Sequence, residues 1–170
     1  MKRRWIIYTI IGIVFGIFDF FYQEFIVGLI SSQPLGGAGY IIAWLILVVG
    51  IWLVPVIPVV LHEVRVTRSA RRGALANVFT WCISVIVYYL TNGVQLAFIG
   101  VPARMEMHIS NRGEPWFWQN WQSLFVQDLI GGNIEWLIVA VVGGTMIGFL
   151  VGLLSLRFQQ RVMAVEHQVL

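Results

Sequence analysis

A chain of 170 residues has the length of one soluble domain, but 59% of its residues are hydrophobic and only 11% charged, where ordinary globular domains run at roughly 45–50% and about 25%. With its apolar stretches set aside no aqueous domain of useful size remains, and the sole cysteine, Cys82, excludes an internal disulfide framework or a cysteine-based zinc site. The net charge of +3 is not a nucleic-acid signal, because the positions of the basic residues account for it better.

Four stretches approach or exceed the ~20 apolar residues that carry a helix across a ~30 Å hydrocarbon layer. They predict an all-α integral membrane protein, a single membrane domain over 1–170 built as a four-transmembrane-helix bundle. The expected spans are 5–30, 40–61, 75–98 and 134–156. The first follows Lys2, Arg3 and Arg4, as a signal peptide would, but it is longer than a signal core and lacks an A-x-A cleavage site. It is therefore read as a retained helix.

Lys2, Arg3, Arg4, Arg65, Arg68, Arg71, Arg72, Arg157 and Arg161 fall at the two ends and in the link 62–74, whereas only Arg104 and Arg112 fall in the loop 101–133. Basic residues stay on the cytoplasmic side. An even number of spans with basic ends and a basic middle link gives N-in/C-in, in the cell membrane. His62 and Glu63 read as the solvated end of the second helix.

Angular position, at about 100° per residue, sorts the polar residues onto faces. On the first helix Tyr8, Gly12, Phe15, Gly16, Asp19 and Gln23 share a face, and the two glycines admit a close neighbour. In the second, Pro55 and Pro58 predict a kink, because each removes one backbone hydrogen bond. The third carries the longest polar stripe: Asn77, Thr80, Ser84, Tyr88, Thr91 and Gln95, with Trp81 and Asn92 at its edge. Such a stripe cannot face lipid tails. It looks at other helices or at a cavity. The fourth has Gly144, Gly148 and Gly152 at four-residue spacing, a seam suited either to a bundle neighbour or to a homodimer.

Asp19 is the sharpest feature. An acid this deep costs about 2.5–3.5 kcal/mol on insertion scales, and no other span holds a Lys, Arg or His to neutralise it. Its partners are then polar neutrals such as Gln23 or the Tyr88–Gln95 end of the third helix, water, a ligand cation, or a separate subunit. Asp19 reads either as a cation, proton or substrate contact or as a protonated acid tying helices together. Ser84, Tyr88, Thr91, Asn92 and Gln95 join Asp19 and Gln23 as candidate substrate or ion contacts.

In the loop 101–133, the Arg104–Arg112 alternation suits a short strand or extended segment. From 115 to 130, Phe117, Trp118, Trp121, Leu124, Phe125 and Leu129 share a face opposite Gln119, Gln122 and Gln127. This pattern predicts a short outer interfacial amphipathic helix, separate from the spans.

The stretch GIVFGIFDFFYQ, residues 12–23, is similar to the first helix of the substrate-binding subunits of energy-coupling-factor transporters. The likeness covers a dozen residues without a defining motif, that family has six helices rather than four, and no residue role is carried over from it.

No phosphate-binding glycine loop, H-E-x-x-H or Cys/His spacing is present. The chain is read as a non-enzyme without cofactor or metal. The expected function is the membrane-embedded component of a small-molecule or ion transport system with a polar intramembrane site. The alternative is a non-catalytic anchor, assembly or regulatory subunit of a larger membrane complex. Expected partners are the bilayer, a small-molecule or cation ligand, and a protein subunit or second copy through the glycine seams.

Overall fold

The computed structural model describes residues 2–32 and 36–169, so the link 31–39 lies partly outside the described residues, as does the side chain of Arg161. Every described element is helical. Helix α1 is Lys2–Ser31. The second run begins as α2, Gly37–Trp44, passes through a π-helical turn, Leu45–Val49, and a 3₁₀ turn, Gly50–Trp52, and continues as α3, Leu53–Thr67. These irregular turns lie just before Pro55, whose ring cannot sit against the carbonyl of Ile51 and whose nitrogen donates nothing to it. The expected disturbance of this helix is present, one turn ahead of the proline.

Arg68, in the left-handed region at φ 53°, ends α3, and Ser69 caps the next helix by accepting from the Arg72 amide. That helix, α4, is Ala70–Val94 and runs on through a π turn, Gln95–Ile99, to Gly100 at φ 80°. The last run is α5, Phe117–Leu124, a π-helical segment, Phe125–Gly131, and α6, Gly132–Val169.

Two expectations for the loop 101–133 differ from this structure. The segment 104–112 forms no strand; it makes 3₁₀ turns, Pro102–Met107 and Ile109–Asn111. A lone extended segment would have no edge to pair with, whereas these turns bury Met107 against Leu96 and Leu124. The indole of Trp121 also donates to the Met107 carbonyl at 2.9 Å. Second, the amphipathic helix begins at Phe117 but joins the final span without a break. Its extra backbone is absorbed by the π-helical segment rather than by a loop.

Arg3–Ile30, Gly37–Thr67, Ala70–Ile99 and Phe117–Gln160 are each long and apolar enough to cross a membrane. Their outward faces agree: Ile10, Val14, Phe25, Ile46, Leu90, Ile138, Met146 and Leu154 all stand exposed. In water so continuous an apolar surface would drive association; against lipid tails it meets its own kind. The chain has the make-up of a multi-pass membrane protein.

Helix α4 is the hub, packed against α1, α3 and α6. A Cβ added at Gly12 would lie 2.9 Å from the Thr80 carbonyl oxygen, and one at Gly16 would lie 2.5 Å from that of Ser84. On the other side, a Cβ at Gly148 would lie 2.9 Å from Ala74 Cα, and one at Gly152 3.0 Å from Ala70 Cα. Both glycine seams therefore close on α4 within one chain. Asn77 adds a polar tie, its Nδ2 donating to the Gly144 carbonyl at 2.9 Å. Between the helices, Phe15, Trp52, Val56, Val60, Trp81, Val85 and Ala140 make the main apolar core.

At the end of the bundle near the N-terminus, Glu63 is buried rather than solvated, at 3% exposure. Its Oε2 accepts from Arg4 Nη1 at 3.0 Å and from the Tyr8 hydroxyl at 2.9 Å. The Tyr8 oxygen also lies 2.8 Å from His62 Nδ1. Burial here follows partnership: an arginine and a phenol satisfy the carboxylate, which lets it leave water.

Candidate functional site

Asp19 is completely buried. One helical turn separates it from Gln23, which places the two side chains together on the inner face of α1. Gln23 Nε2 donates to Asp19 Oδ2 at 2.8 Å. Asp19 Oδ1 is buried without a hydrogen-bond partner. The two residues line a cavity of about 50 Å³ together with Trp52, Val85, Tyr88, Tyr89 and Trp136.

Each wall comes from a different element. The 3₁₀ turn ahead of Pro55 delivers Trp52, which meets Phe15 edge-on at 5.7 Å and Trp81 at 5.3 Å. Trp136, in the first turns of α6, lies nearly parallel to Trp52 at a centroid distance of 6.3 Å. On α4, Tyr88 packs edge-on against Phe20 at 5.4 Å and against Tyr89 at 5.3 Å. No basic residue lines the cavity. The result is a single acid, held by one amide, among four aromatic side chains. Such walls suit a positive group, because aromatic faces carry negative charge density and the unpartnered oxygen lacks only a donor.

The candidates divide clearly. Asp19, Gln23 and Tyr88 come together in the cavity. Ser84 and Thr91 do not line it; each donates its hydroxyl to its own helix, Ser84 to the Thr80 carbonyl at 2.9 Å and Thr91 to that of Val87 at 2.8 Å. Asn92, further along α4, and Gln95, in the π turn that follows, are half-buried and also do not line it. Gly12, Gly16, Gly144, Gly148 and Gly152 pack helices, as their spacing suggests. Sequence reasoning missed Trp52, Tyr89 and Trp136. The available signal for Trp52 was Pro55, since a distorted turn can aim a side chain inward that a regular helix would not. Asn77 Oδ1 and Trp81 Nε1 are likewise buried without partners.

Elsewhere, Arg104 and Asp128 form an ion pair at 3.0 Å, both about half exposed. Among the described residues, no three His, Cys, Asp or Glu side chains gather as metal ligands would. Comparison with protein-family models, with curated proteins and with solved structures finds no match to this chain.

Proposed function

We propose that this chain is the membrane-embedded component of a transport system for a small cationic solute, with Asp19 as the group that receives the cation. The observation that carries this reading is the Asp19 carboxyl: wholly buried, with one oxygen bonded to Gln23 and the other without a donor, in a residue that lines a cavity. A buried polar oxygen left unbonded costs free energy. A cation bearing N–H or O–H groups supplies both the missing donor and the opposing charge. A water needs about 10–15 Å³ of such space, so 50 Å³ admits an ammonium-sized group with a water or two.

The distribution of basic residues supports an N-in/C-in arrangement in the cell membrane, with the segment 100–116 on the outer side. The cavity then lies in the outer half of the bundle, beyond the close-packed seams of Gly12, Gly16 and Gly148. Reporter fusions at Asn111 and Ser69 test this placement, the first reporting the exterior and the second the cytoplasm. The reverse pattern would overturn it.

The function itself is tested by melting the purified protein in mild detergent with ammonium, methylammonium, sodium or potassium. At least one cation should raise the melting temperature of the wild type and leave Asp19→Asn unmoved. If none does, and the protein instead co-purifies with a stoichiometric membrane partner, the non-catalytic subunit reading replaces this one.

A further inference from the structure

A second, larger space adjoins the Asp19 cavity. It is a groove of about 520 Å³ between the outer part of α4 and the run from α5 into α6, lined among others by Leu90, Gly93, Val94, Phe98, Phe125 and Leu129. That volume falls within the roughly 300–1,000 Å³ of small-molecule sites. Three features of the chain make it. Gly93 presents no side chain, with Leu129 Cδ1 3.5 Å from where its Cβ would be. The π-helical segment Phe125–Gly131 supplies Phe125, Leu129 and Ile130 to the opposite wall. Leu90, Phe98 and Phe125 stand exposed at its edge, so it opens on the side that faces lipid.

The two spaces share one wall. Tyr89 lines both the Asp19 cavity and the groove, and its ring is seated against Gly132, where a Cβ would lie 2.6 Å from the Tyr89 hydroxyl. A pocket with one buried carboxyl thus meets an apolar trough fit for a hydrocarbon chain, with one tyrosine between them. Building on the cation-site reading above, we propose that the ligand is an amphiphilic primary amine. Its ammonium head would be at Asp19 and its alkyl tail in the groove beyond Tyr89, entered sideways from the bilayer. A primary ammonium suits Asp19 Oδ1 better than a quaternary one, since only N–H can supply the absent hydrogen bond. Transfer of the tail from lipid into an equally apolar groove brings little hydrophobic gain, so the acid selects the ligand and the groove admits it.

The test uses the full chain in lipid nanodiscs and 11-bromoundecylamine, whose bromine quenches tryptophan fluorescence. The expected result is saturable quenching that is lost in Asp19→Asn and weakened at least tenfold in both Gly93→Leu and Leu90→Phe. The second of these enlarges a lipid-facing residue and leaves the helix seams untouched. Methylammonium, which has no tail, should keep its thermal shift in both groove variants. If the groove variants bind the bromoamine as tightly as wild type while methylammonium still acts through Asp19, the amphiphile proposal falls and the small-cation site stands. If 11-bromoundecanol saturates the same quench regardless of Asp19, the groove takes lipid chains at large and the amine assignment falls. If neither amine acts through Asp19, the amphiphile proposal falls, and the small-cation reading falls with it only when sodium and potassium also leave the wild type unmoved.

Discussion

Gly16→Ala is expected to be the most damaging glycine-to-alanine change in the bundle, and its size follows from one distance. The added Cβ would lie 2.5 Å from the Ser84 carbonyl oxygen, about 0.9 Å inside ordinary contact. The obstruction is backbone, so α1 must move off α4 rather than a side chain turn aside. Overpacking of this kind costs ~1–3 kcal/mol, and the backbone clash puts Gly16 at the upper end. Gly148→Ala meets Ala74 Cα at 2.9 Å and should cost less. At Gly144 the neighbours are the Trp81 and Val78 side chains at 3.3 and 3.4 Å, which can yield. Gly28 has nothing within 4 Å, so Gly28→Ala should be neutral or, by helix propensity, stabilising by up to ~1 kcal/mol. Reversible unfolding in mixed micelles by added SDS, followed by tryptophan fluorescence, gives the four values. Equal destabilisation at Gly16 and Gly28 would refute the packing of α1 on α4 described above.

Other expectations concern polar ties. Asn77→Ala removes the bond to the Gly144 carbonyl and should cost about 0.6 kcal/mol and no more than ~1.7, the mean and maximum for interhelical hydrogen bonds in membranes, in the same unfolding assay. Tyr8→Phe leaves the Arg4–Glu63 pair in place but takes one donor from the buried carboxylate; a loss of ~1.5–3 kcal/mol is expected for a bond to a charged group. Arg104→Ala breaks a half-exposed ion pair and should shift stability by no more than ~1 kcal/mol, fading as salt is raised.

The spans were legible because hydropathy over 20 residues reports the solvent a helix meets, and little in the sequence competes with that signal. The inward face of α4 was legible too: Asn77, Thr80 and Ser84 cannot face lipid, and all three are buried. The site was half legible. Asp19 and Gln23 stand out because a polar residue in a span must find a partner one turn away or across the bundle. Trp52 and Trp136 do not stand out, because a tryptophan in an apolar run suits lipid as well as it suits a cavity wall. Its direction depends on irregular turns that periodicity averages away. The same averaging hid the continuity of Phe117–Gln160, where a π-helical segment carries the chain past Gly131 and Gly132 without a loop. Glu63 was misplaced for another reason: its burial depends on Arg4 and Tyr8, 59 and 55 residues distant. No local pattern encodes that meeting.

The claim at the centre of this account is that Asp19 receives a cation inside the bundle. Equilibrium dialysis of radiolabelled methylammonium against purified, reconstituted protein measures it directly. Saturable binding of one methylammonium per chain is expected in the wild type and none in Asp19→Asn, with both proteins equally folded by their tryptophan spectra. Binding that persists undiminished in Asp19→Asn, or a wild type that binds neither methylammonium nor radiolabelled sodium or potassium, would contradict it.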